Sequence, residues 1–434
     1  MITQPSGLVR TIGRWSLAGL MINTIIGSGI FGLPSVVSSR LGNYGALAYL
    51  IAAAGIALVA ACLSEVASQF RETGGPYLYA RTALGRFWGI QIGWMTWLSR
   101  LTAASGSANL FATYLAEFTP HATQSVYRAA ILTLLISILA VINYRGVKSA
   151  TRVSDFLTSG KIFLLLIFIG AGMGWLLQHG PVTTVPLSHA ITFKDWFASV
   201  LVLIFAFGGF EAAFFAAGEV RDPRRDGPAA LFYAVLLVTV IYMLVQVVVN
   251  GTVADPAGTE RPLAEAARQI FGGGAAAAIS VAALISIYGY LGANMLHTPR
   301  LTFALAERGD FPRIFAAVHP KFRTPNVSIV LYSVLLLVFT LVGNFRWNIT
   351  LSAVARLFTY ASFAIALLVL RKKNPQADAF RLRGGVAIAV LTLAFCLALF
   401  VQTPLSNLSV VAGTVLIAAL NWLAVCKTPS AAST

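Results

Sequence analysis

Apolar runs of about 18 to 29 residues, separated by short polar connections, follow one another along almost the whole chain. The runs fall at 15–37, 45–69, 87–115, 126–143, 155–178, 195–218, 229–250, 275–299, 326–343, 349–370, 386–403 and 407–426. A helix needs roughly 20 apolar residues to cross the hydrocarbon core of a bilayer. Strands of a membrane barrel would instead alternate apolar and polar residues. The pattern therefore predicts an all-α integral membrane protein with twelve transmembrane helices.

Composition supports this interpretation and excludes other protein classes. Hydrophobic residues make up 58% of the 434, and only 11% are charged. Soluble domains carry roughly 25% charged residues. A soluble enzyme, a coiled coil and a disordered chain are therefore excluded. The longest outer connection, about 251–274, contains an amphipathic stretch from Pro262 to Phe271, which predicts a short surface helix.

The distribution of basic residues predicts the orientation. With a cytoplasmic N-terminus, alternating connections place 22 Lys and Arg inside and 6 outside, and three fall within spans. Cytoplasmic loops of membrane proteins collect Lys and Arg. We expect both termini in the cytoplasm of a multi-pass plasma membrane protein. Contact with anionic lipid headgroups is then enough to explain the net charge of +16, so no nucleic-acid partner is predicted.

No pattern of metal ligands or catalytic groups stands out. Cys62, Cys396 and Cys426 lie in or beside apolar runs without paired spacing, and the five histidines show no helical spacing with a second ligand. Neither a GxSxG motif nor a phosphate-binding loop is present. The sequence therefore predicts no metal, no cofactor and no enzyme activity.

Two of the predicted spans contain helix-breaking sequences. The first holds Gly27–Pro34 with three glycines and a proline, and the sixth holds Gly208 and Gly209. Glycines also let helices pack closely, which is the simpler explanation for either one. Paired interruptions in corresponding halves, however, indicate a transporter binding site. Spans one and six are five apart, which predicts inverted repeats at 15–178 and 195–370, followed by two peripheral helices at 386–426.

A helix broken within the membrane offers chemistry that fits an amino acid. One fragment exposes free N–H groups, which attract a carboxylate, and the other exposes free C=O groups, which attract an ammonium group. Two broken helices side by side can therefore bind a zwitterion through the backbone alone. Phenylalanines near the second break, Phe205, Phe207 and Phe210, can then sort substrate side chains.

Motifs along nearly the whole chain resemble those of the amino acid–polyamine–organocation transporter superfamily. The matching segments are Gly27–Phe31, Glu65 with Thr73–Tyr79, Phe207–Glu211, Glu219–Pro223, Arg300–Phe311 and Val318–Pro320. The resemblance implies the leucine-transporter-type fold, with two inverted five-helix repeats plus two extra helices. It also implies amino acid transport by alternating access.

Residue roles follow from the resemblance by position. A carboxylate-binding segment is expected at Gly27, Ser28 and Gly29, and an ammonium-facing segment at Phe205, Ala206 and Phe207. Phe205 matches an aromatic gate, and Glu211 an acidic residue near the break. The full set of expected substrate-binding residues is Ile26, Gly27, Ser28, Gly29, Ile30, Arg100, Ala104, Phe205, Ala206, Phe207, Gly208, Gly209 and Phe210.

Charged residues within spans are costly and usually face protein or water. Arg100 lies near the middle of the third run, beside small residues such as Ala104 that leave room for a ligand. It either pairs with Glu211 or meets a substrate carboxylate. Glu65 is expected to pair with a nearby arginine, and Arg356 either to snorkel to the outer surface or to pair.

Lys161 lies one to two turns inside the cytoplasmic end of the fifth span. It either snorkels to that surface or, as the resemblance implies, replaces a sodium ion beside the first break. With Glu211, it is the expected gating and coupling residue, and transport should be independent of Na⁺. The sequence therefore predicts an amino acid permease working by proton symport or exchange. A membrane-embedded enzyme, a channel or sensor, and a carrier of polyamines or other organic cations remain alternatives. The amino acid and the oligomeric state stay open.

Overall fold

The computed structural model describes residues 13–70, 75–146, 150–182, 187, 189–211, 223–373 and 380–426. In this part of the chain the secondary structure is helical, without strands. The α-helices are α1 Arg14–Ile25, α2 Gly29–Leu41, α3 Gly45–Ala67, α4 Gly75–Leu84, α5 Arg86–Leu115, α6 Ser125–Arg145, α7 Ala150–His179, α8 Phe193–Phe207, α9 Pro223–Thr252, α10 Pro262–Phe271, α11 Gly273–Glu307, α12 Asn326–Val342, α13 Phe345–Lys373, α14 Gly385–Val401 and α15 Leu405–Val425.

Each predicted apolar run overlaps one of these helices or, in the first span, two of them. Among the described residues, seven helical stretches are long and apolar enough to cross a membrane. Two shorter apolar helices, α12 and α14, add to them. The all-helical membrane protein predicted from the pattern is thus confirmed. The count of twelve spans and the inverted-repeat layout stay predictions.

Both helix interruptions are present in the structure. α1 ends at Ile25 and α2 begins at Gly29, so residues 26–28 lie outside both helices. The helix-breaking sequence Gly27–Pro34 predicts that Gly29 is unwound, but Gly29 is the first residue of α2. α8 ends at Phe207, and Gly209 has a φ of +111°. Of the rest of the sixth predicted span, residues 212–218 lie outside the described part of the chain.

Small and polar residues join the central helices. α5 packs against α13 and α11, while α9 packs against α1 and α3. Ser99 of α5 and Ser352 of α13 exchange hydrogen bonds, with each hydroxyl donating to the other residue's carbonyl oxygen at 3.1 and 2.8 Å. Inside a membrane, such close contacts replace the hydrophobic driving force between helices. This packing brings α5, α11 and α13 around the two interruptions.

An ion pair at the predicted cytoplasmic side anchors a connection to the helix bundle. Arg371 of α13 donates from Nε and Nη2 to the two carboxylate oxygens of Glu65, at 2.6 and 2.7 Å. The amide of Leu382, in the connection before α14, donates to the same carboxylate at 2.9 Å. The predicted pairing of Glu65 with an arginine is confirmed.

Two short helices lie between the long ones. The amphipathic α10 is found where the sequence predicts it, and its Arg268 donates to Glu117 at 2.5 Å, which raises the pKa of that arginine. The sequence does not predict α4, because Gly75 followed by Pro76 is typical of a turn. Gly75 does have a φ of +58°, but Pro76 occupies the first turn of a helix, where its missing N–H costs nothing.

The three cysteines are free thiols. Cys62 and Cys396 are buried, and Cys426 is exposed after the end of α15.

Candidate functional site

A cavity of about 260 Å³ lies between the two helix interruptions. α5, α11 and α13 supply further parts of its wall, and Lys161 of α7 reaches it as well. Most of the residues that sequence reasoning selected line it. They are Ile26, Gly27, Ser28, Gly29, Arg100, Lys161, Phe205, Ala206, Gly208, Gly209 and Glu211.

Four of the expected binding residues do not line this cavity. Ile30, Ala104, Phe207 and Phe210 are buried in the apolar core instead. The ring of Phe210, for example, packs against Tyr360, with the ring centroids 5.7 Å apart. These residues lie beside cavity residues in sequence or one turn away, and their side chains fill the space between helices. Sequence position alone cannot separate these two cases.

At the first interruption, the start of α2 meets the end of α8. A Cβ placed on Gly29 would lie 3.1 Å from the Cα of Ala206, so the glycine permits this approach. The N–H groups of a helix's first turn have no partner within the helix. Gly29, the first residue of α2, lines the cavity here, together with Ser28, whose hydroxyl is 2.6 Å from that of Ser107. The arrangement favours a bound anion.

The carbonyl end of α1 is met by side chains from two other helices. The ammonium group of Lys161 donates to the carbonyl oxygen of Asn23 at 3.1 Å and to that of Ile26. Its side chain therefore points to the interruption and not to the membrane surface. The hydroxyl of Tyr242, on α9, lies 3.0 Å from the carbonyl oxygen of Ile25 and 3.1 Å from that of Ala206. Tyr242 thus links the two interrupted helices.

The second interruption depends on glycine and on a local carboxylate. At Gly209 the positive φ favours glycine, and an added Cβ would lie 2.6 Å from the carbonyl oxygen of Thr24. The carboxylate of Glu211 accepts from the amide of Gly209 at 3.0 Å and from Nη1 of Arg356 at 2.9 Å. A Cβ on Gly208 would lie 1.7 Å from that Nη1, so the guanidinium group lies directly on the glycine.

The two intramembrane arginines share this region. For Arg356, the sequence predicts either pairing or snorkelling to the outer surface. It pairs with Glu211 and is buried, so it does not snorkel. Arg100 lines the same cavity, and the charges of Glu211 and Arg356 both act on it. The pairing of Arg100 with Glu211 and its contact with a substrate both stay predictions.

Sequence reasoning missed one whole wall of the cavity, which α11 supplies. The residues of this wall recur at helical spacing: Ile285, Ser286, Gly289, Tyr290, Ala293, Asn294 and His297. Small and polar side chains at intervals of three and four in an apolar helix were the available signal. Tyr242 gave no such signal, because it stands alone in an apolar run. Among the described residues, no group of three or more His, Cys, Asp or Glu could hold a metal ion.

Comparison with known proteins agrees with the transporter interpretation. A family model described as amino acid permease matches residues 12–425. The chain is 29% identical to the methylthioribose transporter of Bacillus subtilis, over 91% of this chain and 88% of that protein. It is 30% identical to the serine/threonine exchanger SteT of the same species, over 86% of each chain. It is 26% identical to the branched-chain amino acid permease BcaP, also from that species, over 91% and 88%.

The matching family and relatives are transporters, and none is an enzyme. The match spans the helix interruptions, the cavity and nearly all the remaining helices. The chain therefore belongs to the amino acid permease family of the amino acid–polyamine–organocation superfamily, and it is a multi-pass membrane transporter.

Proposed function

We propose that this protein is a sodium-independent secondary active transporter that moves amino acids across the plasma membrane by alternating access. The observation that carries the proposal is the meeting of two interrupted helices at one cavity. Gly29, at the start of α2, and Phe205 and Ala206, near the end of α8, line that cavity together. Irregular backbone at membrane depth is tolerated only where protein or a water-filled cavity surrounds it.

The two helix ends suit the two charges that all α-amino acids share. The substrate carboxylate accepts hydrogen bonds from the amides around Ser28 and Gly29, where the helix dipole is positive. The ammonium group donates to carbonyl oxygens at the end of α8, near Phe205 and Ala206, where the dipole is negative. Phe205 lines the cavity, which supports its proposed role as an aromatic gate. Backbone contacts then hold the common part of the substrate, and side chains select among amino acids.

Lys161 takes the structural place of a coupling sodium ion. Its ammonium group binds carbonyl oxygens that the interruption of α1 leaves without helical partners. A positive charge at that point repels Na⁺, so a sodium ion and the lysine should not occupy the site together. Lys161 ties α7 to α1 in this way. During the cycle, the Lys161 ammonium group would leave these carbonyl oxygens or lose its proton. Either change would couple transport to proton movement or to exchange.

Alternating access follows from the proposed architecture. We infer twelve membrane spans with both termini in the cytoplasm, of which the first ten form two inverted repeats. Rocking of one group of helices against the other around a fixed midplane site opens the cavity to each side in turn. Tyr242 links the two interrupted helices during that motion, and Lys161 ties α7 to the first of them.

The proposal is tested with purified full-length protein in liposomes. A thermal-shift screen against the common amino acids comes first, because a ligand that binds the folded state raises its melting temperature. Uptake of each stabilising amino acid is then measured in sodium and in choline buffer, with and without internal amino acid. We expect equal uptake in the two buffers and stimulation by internal substrate or by an inward proton gradient.

Protein-free liposomes are the control for leakage. Methylthioribose is included in the screen, because one relative is named for it. Strict dependence on sodium would contradict the role of Lys161 and the coupling proposal. Transport of methylthioribose, or of a polyamine, in place of any amino acid would overturn the substrate assignment.

A further inference from the structure

The long helix α9 carries three large polar side chains in an otherwise apolar run. Tyr242, Gln246 and Asn250 recur every four residues, so they lie on one face of the helix. All three are buried, and the exposed fraction of Gln246 is 0%. Polar groups within a membrane span are costly, so they usually have partners and a function. The Tyr242 hydroxyl contacts the ends of α1 and α8, whereas the two amides contact α2 and the residue after it.

Gln246 and Asn250 bind the second half of α2. The Gln246 amide donates to the hydroxyl oxygen of Ser38 and to Oδ1 of Asn250, at 2.9 Å each. The Ser38 hydroxyl donates to the same Oδ1 at 2.7 Å. The Asn250 amide donates to the carbonyl oxygen of Gly42, the residue after the end of α2, at 2.9 Å. These bonds tie α2 to α9.

A proline weakens α2 in its middle. Pro34 lacks a backbone N–H and so leaves one helical hydrogen bond unmade. Nε2 of Gln246 lies 3.3 Å from the carbonyl oxygen of Pro34, so the same side chain supports α2 at the proline as well. Pro34 is about one and a half helical turns from Gly29, which is the first residue of α2 and part of the cavity wall.

The tie between α2 and α9 therefore bears on the geometry of the proposed carboxylate site. The start of α2 and the end of α8 meet closely, since a Cβ on Gly29 would lie 3.1 Å from the Cα of Ala206. The Tyr242 hydroxyl links the end of α8 to α9, and Gln246, one turn further along, links α2 to the same helix. One face of α9 thus holds both helix ends to which we assign the substrate's charged groups.

We propose that Gln246 is a positioning residue, which holds α2 on α9 and thereby keeps the carboxylate-binding start of α2 at a fixed distance from the end of α8. The inference rests on the proposed function and deepens it. Gln246 does not line the cavity, so it acts on the substrate through α2. A site that is held in its binding geometry before the substrate arrives binds more tightly, because less order has to be created on binding.

The test separates the affinity for the substrate from the maximal rate. Full-length wild type and Gln246→Met are reconstituted in liposomes, and KM and the maximal rate are measured for each amino acid that the wild type transports. Methionine keeps the length of the side chain but lacks the amide. We expect KM to rise about fivefold or more for all substrates alike, because all share the α-carboxylate, while the maximal rate stays within about twofold of the wild type.

Ser38→Ala removes the same tie from the side of α2 and should act in the same direction. Because both changes break one contact, the double variant should raise KM by less than the product of the two single effects. The matched control is Thr239→Val, also on α9. This threonine is buried as well, but its hydroxyl donates to the carbonyl oxygen of Val235 within the same helix, at 2.6 Å, so KM should not change.

The melting temperature of each variant in detergent completes the comparison. A lower melting temperature with an unchanged KM would show that Gln246 only stabilises the fold, and it would overturn the inference. A rise in KM for some amino acids and not for others would place the effect in the side-chain pocket and would overturn it too. If Gln246→Met does not fold, the smaller change Ser38→Ala decides between the same outcomes. Failure of the wild type to transport any amino acid overturns the proposed function itself, and with it the carboxylate site on which the inference rests.

Discussion

Both helix interruptions leave backbone groups without helical partners, but different kinds of groups replace those partners at each one. At the first, groups from other helices meet the freed carbonyls of α1: Lys161 from α7 and Tyr242 from α9. At the second, a local carboxylate takes part: Glu211 accepts from the amide of Gly209, two residues earlier, and also binds Arg356 of α13. The first interruption presents the start of α2 and the Lys161 side chain to the cavity, while the second presents the ion pair of Glu211 and Arg356.

This difference suggests a division of labour within the site. Backbone amides cannot change with the sequence, so the first interruption suits the carboxylate common to all α-amino acids. Charged side chains can be exchanged by mutation without moving the backbone, so the second interruption suits selection among substrates. We infer that relatives with other substrates differ more around the second interruption than around the first.

The largest expected effect comes from closing the contact between the interruptions. Gly209→Val puts a side chain 2.6 Å from the carbonyl oxygen of Thr24 and forces a β-branched residue to a positive φ. We expect transport in liposomes to be abolished while membrane insertion persists. Gly29→Val, whose Cβ would lie 3.1 Å from the Cα of Ala206, should act in the same direction.

The control is Gly19→Val in α1, where an added Cβ meets nothing within 4 Å. It introduces the same side chain into the same interrupted span and should leave uptake near the wild-type rate. Full activity of the Gly209 and Gly29 variants would remove the central role given to the interruptions.

The next effect concerns the charges at the second interruption. Arg356→Ala leaves the partly buried Glu211 without its ion-pair partner, and losing one partner of a fully buried pair costs about 3–5 kcal/mol. We expect a lower yield and a lower melting temperature in detergent, and the double variant with Glu211→Ala should recover part of both. An unchanged melting temperature in the single variant would show that the pair contributes little to the fold.

The same measurements decide the role of Arg100. If Arg100 is tied mainly to Glu211, Arg100→Ala should lower the yield, and combination with Glu211→Ala should restore it. If it serves the substrate, the yield should hold while the apparent affinity falls. Unchanged yield together with unchanged affinity would refute both versions.

At the first interruption, Lys161→Ala should reduce transport by about tenfold or more without loss of the folded protein, because carbonyl oxygens at the cavity lose a charged donor. Uptake in sodium and choline buffer is the measurement, as for the wild type. Lys194→Ala, at an exposed position near the start of α8, is the control. Normal transport by Lys161→Ala would show that the lysine makes a structural contact and has no role in transport.

The smallest effect is expected at the link between the interruptions. Tyr242→Phe removes a hydroxyl that lies 3.0 and 3.1 Å from two carbonyl oxygens on different helices. A neutral hydrogen bond contributes about 0.5–1.5 kcal/mol. We therefore expect a modest fall in melting temperature and a several-fold lower rate of exchange. Tyr288→Phe, at an exposed position on α11, should change neither.

The sequence was informative where the membrane restricts the choice of residues. The length of the apolar runs predicted the long helices. Gly and Pro within spans predicted the interruptions, because unpaired backbone groups are costly in lipid and occur only where protein or a water-filled cavity surrounds them. The contact of Lys161 with the first interruption came from the family resemblance and not from the residue itself.

Tertiary contacts set the limit of that reasoning. Arg356 was placed near the outer end of its span, and nothing in the sequence says that its guanidinium group lies on Gly208, since the two are far apart in the chain. The cavity wall on α11 and the bridging hydroxyl of Tyr242 depend in the same way on how helices pack. Side-chain direction also decided that Phe207 is core while Phe205 lines the cavity.

The three cysteines give the molecule a built-in chemical label for orientation. Since Cys62 and Cys396 are buried and Cys426 is exposed, a thiol-reactive dye should modify the folded protein at Cys426 alone. A membrane-impermeant dye would then react in inside-out vesicles and not in intact cells if this end of α15 faces the cytoplasm. The native chain can thus report its own topology, with Cys426→Ser as the unlabelled reference, before any engineered site is introduced.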